Sequence, residues 1–306
     1  MDYVATFIAP QGHDRANLAV AREMASLLPF GRIGAYLDGN HAIDVTFMLD
    51  DYDDDFQRKA EQGMREDCAE TIGKLPVDCI VQRDDAFRRK RLLIADMDST
   101  MIGQECIDEL ADFAGVKAHV SAITERAMRG EIAFEPALRE RVALLKGLPA
   151  TIVQEVIAKR ITLTPGARTL VATMKKHGAT AALVSGGFDV FTSRIAAMIG
   201  FDSNQANRLL VADGRFTGEV AEPILGRAAK KAALEALCKT LALDPRATLA
   251  VGDGANDLDM LQASGLGIAY RAKPAVAAAA HAAVEHGDLT ALLFAQGYRR
   301  SEFAQA

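Results

Sequence analysis

The hydrophobic pattern changes character near residue 85. Before that point, short apolar runs and longer amphipathic runs follow the order β-α-β-β-α-β. "YVATFIA" reads as a strand, "RANLAVAREMASLL" as a helix, "GRIGAYL" and "AIDVTFML" as strands around the turn-rich "DGNH", "FQRKAEQGMREDCAETIGKL" as a helix and "VDCIVQ" as a last strand. That order predicts an α+β ferredoxin-like unit over residues 1–85, a small sheet with both helices on one face. From Arg91 onward, short apolar strands alternate with amphipathic helices, as in an α/β doubly wound parallel sheet covered on both faces. The candidate strands are "RLLIA", "TAALVS", "ATLAVG" and "LGIAY".

Between the first two of these strands, residues 104–159 keep a helical period throughout. An insertion there lies over the carboxyl edge of the sheet, where open α/β sheets bind ligands, so it is placed to be a helical cap. The expected division is residues 1–85, a linker at 86–91, a core of 92–103 with 160–306, and a cap at 104–159. "NRLLVADGRFTGEV" carries the Asp-Gly signature of a two-residue hairpin at Asp213 and Gly214. The Ala-rich "AVAAAAHAAV" reads as a helix.

Polar residues collect where the strands end. "RLLIADMDST" finishes in Asp96 and Asp98, which the two-residue period of a strand sends to the same side. Two such charges at roughly 4 Å, in an effective dielectric near 20, repel by about 4 kcal/mol, so a cation, a shared proton or solvent must compensate. "VSGGF" offers Ser185 and the open backbone amides of two glycines. "VGDGANDLDM" puts Asp253, Asn256 and Asp257 in one turn, and "GRAAKKAALEAL" places Lys230 and Lys231 near a helix start. Taken singly, these are polar turns or helix caps as readily as a site. "GDGAND" could be a plain loop, a calcium loop or a dinucleotide fingerprint, but Asp257 at the fingerprint's last position would repel a pyrophosphate. Taken together, at adjacent strand ends, they gather the hard oxygen donors that suit Mg²⁺ with a phosphate.

Composition narrows the surroundings. A 306-residue chain with a formal net charge of -6 argues against a nucleic-acid or anionic-membrane surface. The basic run "RRKRLL" from Arg88 is expected to be a solvated linker. Asp2 and the early charges leave no secretory leader in the pattern, and no apolar run reaches the ~18 residues of a membrane span. Cys68, Cys79, Cys106 and Cys238 lack paired spacing, which suits a reducing cytoplasm.

"DMDST", "SGG", the helix lysine and "GDGANDLDM" resemble the four motifs of haloacid dehalogenase-type phosphatases, and within them the phosphoserine phosphatase family, over roughly residues 91–297. The resemblance implies Mg²⁺-dependent hydrolysis of O-phosphoserine. Asp96 would be the nucleophile and form an aspartyl-phosphate; Asp98 would be the general acid and base. It further implies that Asp96, the Asp98 carbonyl and Asp253 hold the metal, supported by Asp257, and that Lys230, Ser185, the Gly186 amide and Asn256 meet the phosphoryl group or substrate. Lys230 is preferred to Lys231 because the family's lysine follows alanine, and adjacent helical positions point about 100° apart. In the cap, Glu105 and Arg141 match the positions that take the substrate's amino and carboxylate groups, and Met128 and Phe134 match apolar residues that close over the site. The rivals are a related phosphatase for another phosphorylated amino acid or amino alcohol, and a phospho-acceptor signalling protein. The first 85 residues resemble an ACT-type regulatory domain, with Gly12 and Asp14 kept in its loop pattern and Asn17 where a glycine belongs. This implies a homodimer.

Overall fold

The computed structural model describes residues 1–10, 12–50, 54–128 and 131–305. The first unit comprises β1 (Asp2–Ile8), α1 (Asp14–Leu27), β2 (Arg32–Asp38), β3 (Ala42–Met48), α2 (Asp54–Ile72) and β4 (Asp78–Arg83). Its sheet is antiparallel in the order β2-β3-β1-β4. Tyr3, Ala5 and Phe7 of β1 pack with Val20, Met24 and Cys68 of the two helices. The other face is also covered: Ile8, Ala42 and Ile80 join the main apolar cluster of the rest of the chain. Hence β1 is buried from Tyr3 onward instead of alternating, and the two units share one core.

The second sheet is parallel, in the order β12-β11-β10-β5-β6-β7. Its strands are β5 (Leu92–Ala95), β6 (Thr180–Phe188), β7 (Ser203–Asn207), β10 (Thr248–Gly252), β11 (Leu266–Tyr270) and β12 (Ala282–Val284). β5 lies centrally, buried at every residue, because apolar side chains point to helix layers on both faces. After β5 come the helices α3 (Cys106–Phe113), α4 (Lys117–Met128), α5 (Phe134–Ala143) and α6 (Ile152–Lys159). The layers around the sheet are α7 (Ala167–Lys176), α8 (Asp189–Ile199), α9 (Arg227–Leu241), α10 (Leu258–Ala263), α11 (Pro274–Ala279) and α12 (Ala291–Ala295). The hairpin of β8 (Leu209–Ala212) and β9 (Arg215–Val220) turns at Asp213 and Gly214, both at positive φ (49° and 73°), the geometry its sequence asks for. It joins the inserted helices through Gly147 N–H to the Phe216 carbonyl and Ala150 N–H to the Gly214 carbonyl.

Two expectations need correction, and one strand has no counterpart in the sequence reading. The Ala-rich run is not one helix, since Pro274–Ala279 is helical and Ala282–Val284 is a strand beside β11. β7, reading "SNQAN", is an edge strand with its first three residues exposed, and so carries no apolar signal. The basic run is solvated only in part: Arg89 and Arg91 are exposed, but Lys90 is 5% exposed, and Arg88 donates to both carboxylate oxygens of Asp44 at 2.8 and 2.9 Å. Among the described residues no helix is long and apolar enough to cross a membrane, and all four cysteines are free thiols.

Candidate active site

Strands β5, β6 and β10 are neighbours, so the polar loops at their carboxyl ends meet. Asp96 follows β5 directly and is 5% exposed. Its Oδ1 accepts the Met97 N–H at 2.7 Å and its Oδ2 sits 2.6 Å from Lys230 Nζ. The same ammonium lies 2.6 Å from Asp257 Oδ1, so one buried lysine bridges two carboxylates. Lys231 points outward to Glu235 at 3.8 Å, with half its side chain exposed. The neighbouring lysines thus divide as the helical period requires.

The turn after β5 reverses at Ser99, which has φ 54°. It brings Asp98 back, where its Oδ1 accepts the Cys106 N–H at the start of α3 (3.0 Å) and its Oδ2 the Ser185 hydroxyl (3.4 Å). Ser185 Oγ in turn accepts the Gly187 N–H at 2.8 Å. A Cβ at Gly187 would lie 2.7 Å from Asp98 Oδ2, so only glycine leaves the carboxylate room. In the third loop, Asp257 Oδ2 accepts the Gly254 N–H at 3.0 Å, and a Cβ at Gly252 would lie 2.3 Å from Asp257 Cγ. The glycines of "GDGAND" therefore make space for a carboxylate of their own turn, where those of a dinucleotide fingerprint make space for a pyrophosphate. Asn256 belongs to the same turn, and the Thr100 hydroxyl donates to Asp253 Oδ1 at 2.9 Å.

Carboxylate oxygens of Asp96, Asp253 and Asp257 lie within 4.8 Å of one another. Burial, then the charge of Asp257, pushes Asp96 well above the usual carboxylate range; the same two causes take Asp253 up to about 6. Burial, then the charge of Glu105, raises Asp98 to about 7, against the pull of the Cys106 amide. Burial opposes the Lys230 ammonium, but Asp96 and Asp257 outweigh it and keep it charged. A single ammonium cannot neutralise three acids, and the hard oxygens left over fit a small divalent cation.

Glu105 is exposed beside the turn, and its Oε1 accepts the Ser99 hydroxyl at 2.6 Å. Arg141 on α5 is partly buried; its Nε donates to the Ala137 carbonyl at 3.2 Å and Nη1 to the Thr124 hydroxyl at 3.5 Å. Burial lowers its pKa, while Asp108 and Glu105 act on it only at a distance. Phe134 opens α5 and faces the "SGG" loop and the start of α9: a Cβ at Gly186 or Gly226 would lie 3.6 or 3.5 Å from its ring. The Met128 side chain lies outside the described residues. Sequence reading missed the Cys106 amide, which donates to Asp98, and Gly187, which donates to Ser185 and leaves room for the Asp98 carboxylate. The first carries no side-chain signal; the second could be found from the doubled glycine of "SGG".

This fold and this set of loops define a class, and the chain belongs to the haloacid dehalogenase-like hydrolases, whose family model matches residues 93–262. A "Phosphoserine phosphatase" of Streptomyces coelicolor is 44% identical over 244 residues, 79% of this chain, and the chain spans only 59% of that relative's length. Over 96% of this chain and 97% of the other, the fold is similar to a haloacid dehalogenase family hydrolase of Salmonella enterica serovar Typhi, at TM-score 0.81 and 30% identity. A structure described as a phospho-aspartyl intermediate analogue of phosphoserine phosphatase is 44% identical over 67% of this chain and 98% of its own, with TM-score 0.62.

Proposed function

We propose that this chain is a cytoplasmic phosphoserine phosphatase, hydrolysing O-phospho-L-serine to L-serine and phosphate as the last step of serine biosynthesis. Asp96, held by Met97 N–H and Lys230, attacks phosphorus; a P–O bond to its carboxylate forms as the bond to the serine oxygen breaks. Asp98 gives its proton to that oxygen, and its pKa of about 7 supports the role, since it can hold the proton and later take it back. Water then attacks the aspartyl-phosphate, Asp98 accepts its proton, phosphate leaves and the Asp96 carboxylate returns. Ser185, the Gly186 N–H and Asn256 bind phosphoryl oxygens and substrate, and Lys230 offsets their charge.

Asp96, the Asp98 carbonyl and Asp253 would hold Mg²⁺, with Asp257 behind them; the ion would cancel charge between the anionic nucleophile and the phosphate dianion. Glu105 would take the substrate ammonium, while Phe134, with Met128, would shut out water.

The observation that carries the substrate is Arg141, a guanidinium drawn out of solvent with no carboxylate within ion-pair distance among the described residues, as a binder of an incoming carboxylate should be. Phosphate release from L-phosphoserine tests the reading. Turnover is expected only with Mg²⁺, little from O-phosphoethanolamine and none after Asp96→Asn. Turnover that persists in that variant removes the nucleophile, and equal rates on the two substrates remove the specificity. The first unit, with β2 at its edge, would pair two copies. Light scattering on the full chain checks this, and a monomeric mass refutes it.

A further inference from the structure

The misread basic run leads to a second site. At the amino ends of the parallel strands, opposite the catalytic loops, a cleft of about 430 Å³ opens between α2 and β4 of the first unit and the residues that lead into β5, β10, β11 and β12. Its lining includes two carboxylates, Glu61 and Asp85, which are outnumbered by basic groups, among them Arg65, Arg83, Lys90, Arg246 and the imidazole of His281. Some are already matched. Arg246 pairs with Asp244 at 2.8 Å, and Arg83 lies 3.7 Å from Glu61. Arg65 and Lys90 are not. The Nε of Arg65 is buried with no hydrogen-bond partner. Lys90 is 5% exposed and its Nζ makes one bond, to the Arg246 carbonyl at 2.9 Å, leaving two of its three donors unspent. Among the described residues no carboxylate is within ion-pair distance of either cation.

His281 supplies a neutral donor. Its Nδ1 accepts the Gly267 N–H at 2.9 Å, so the remaining ring proton belongs on Nε2. Burial, followed by the charges of Arg65 and Lys90, presses its pKa down to about 4, which shows that the three groups share one field. Burial likewise lowers Lys90 to about 8. The nearest counter-charges, Glu61 to Arg65 and Asp85 to Lys90, act from beyond ion-pair distance, and two cations withdrawn from water and offset only at that range are unfavourable unless something anionic is bound between them.

We propose that this interdomain cleft binds a small polyvalent oxyanion, a phosphate group, between Arg65, Lys90 and the His281 N–H. A guanidinium fork and an ammonium match phosphate oxygens, and the cleft has room for the group and a few attached atoms. Such an anion ties α2 of the first unit to the amino ends of the core strands, a role separate from turnover.

Equilibrium dialysis of labelled inorganic phosphate against the full chain, in chelator and at constant ionic strength, tests this. The wild type and the active-site variant Ser185→Ala should both retain one equivalent, and Arg65→Met should bind it at least tenfold more weakly. Phosphate should raise Tm in the first two and not in the third. Unchanged binding in Arg65→Met, or complete loss in Ser185→Ala, overturns the site, as does displacement by chloride at matched ionic strength. Glycerol 3-phosphate that competes better than unlabelled phosphate assigns the site to a phosphoryl group on an organic carrier; poorer competition assigns it to free phosphate. If Arg65→Met fails to fold, Lys90→Gln carries the same comparison.

Discussion

Among the described residues Arg141 bonds to only a carbonyl and a hydroxyl, yet it has given up part of its hydration. If it waits for a substrate carboxylate, Arg141→Ala should weaken L-phosphoserine binding by roughly 2 to 5 kcal/mol, the usual cost of truncating one partner of a buried charge pair. The readout that separates binding from mere packing is selectivity. KM for L-phosphoserine should rise steeply while that for O-phosphoethanolamine stays put, so the preference collapses; a parallel rise on both substrates would assign Arg141 to the architecture of α5. Lys230 and Lys231 show what a sequence reveals at this scale. Motif and helical period together pick the buried one, because both depend on local spacing. The Cys106 amide on Asp98 was illegible for the opposite reason: any residue has an N–H, and only the turn at Ser99 aims this one.

Elements were legible wherever one run of side chains had a single environment. β5, β6, β10 and β11 are apolar because helices cover both faces, and each was readable as a strand. β7 escaped because an exposed edge strand needs no apolar residues, and β12 because three residues inside an alanine tract have no period. The loops that follow these strands make a prediction of their own. Gly252 ends β10 with Asp257 packed where its side chain would be. Gly252→Ala must push Asp257 away, and with it the bridge through Lys230 to Asp96. Activity should fall by orders of magnitude, with a stability loss of about 1–3 kcal/mol, the range for overpacking a tight site. A variant with normal kcat would show that turnover does not depend on the Asp257 bridge to Asp96.

Across the whole molecule, the first unit is fastened by contacts no local pattern announces. Asp78, 4% exposed, accepts N–H groups from Glu285 (2.9 Å), His286 (3.1 Å) and Gly287 (2.7 Å), just past β12. Gln82 and Arg88 both donate to the Ala295 carbonyl. Partners some 200 residues away cannot be read from a run of residues, which is why the basic segment looked like a linker. The nearest sequence hint was β1, too uniformly apolar for a sheet with one wet face. Asp78→Ala should leave three partly buried N–H groups without their shared acceptor and cost about 1–3 kcal/mol, seen as a lower Tm; an unchanged Tm would mean that these bonds add nothing to the junction of the units.

His281 makes the same junction sensitive to acid. Its pKa is about 4 when folded against an ordinary 6.5, so between these values the unfolded chain takes a proton that the folded chain refuses. Its contribution to stability is complete above pH 6.5 and is lost as pH falls toward 4, up to about 3 kcal/mol for the full shift. Asp98 and Asp253, raised to about 7 and about 6, favour the folded state in the opposite direction over the same window, so the slope of the wild-type curve alone is no test. The difference between wild type and His281→Asn isolates the imidazole. In phosphate-free buffer the variant should lose less stability than the wild type between pH 6.5 and 4.5, and denaturant curves that shift in parallel would show that His281 protonates as freely in the cleft as in water.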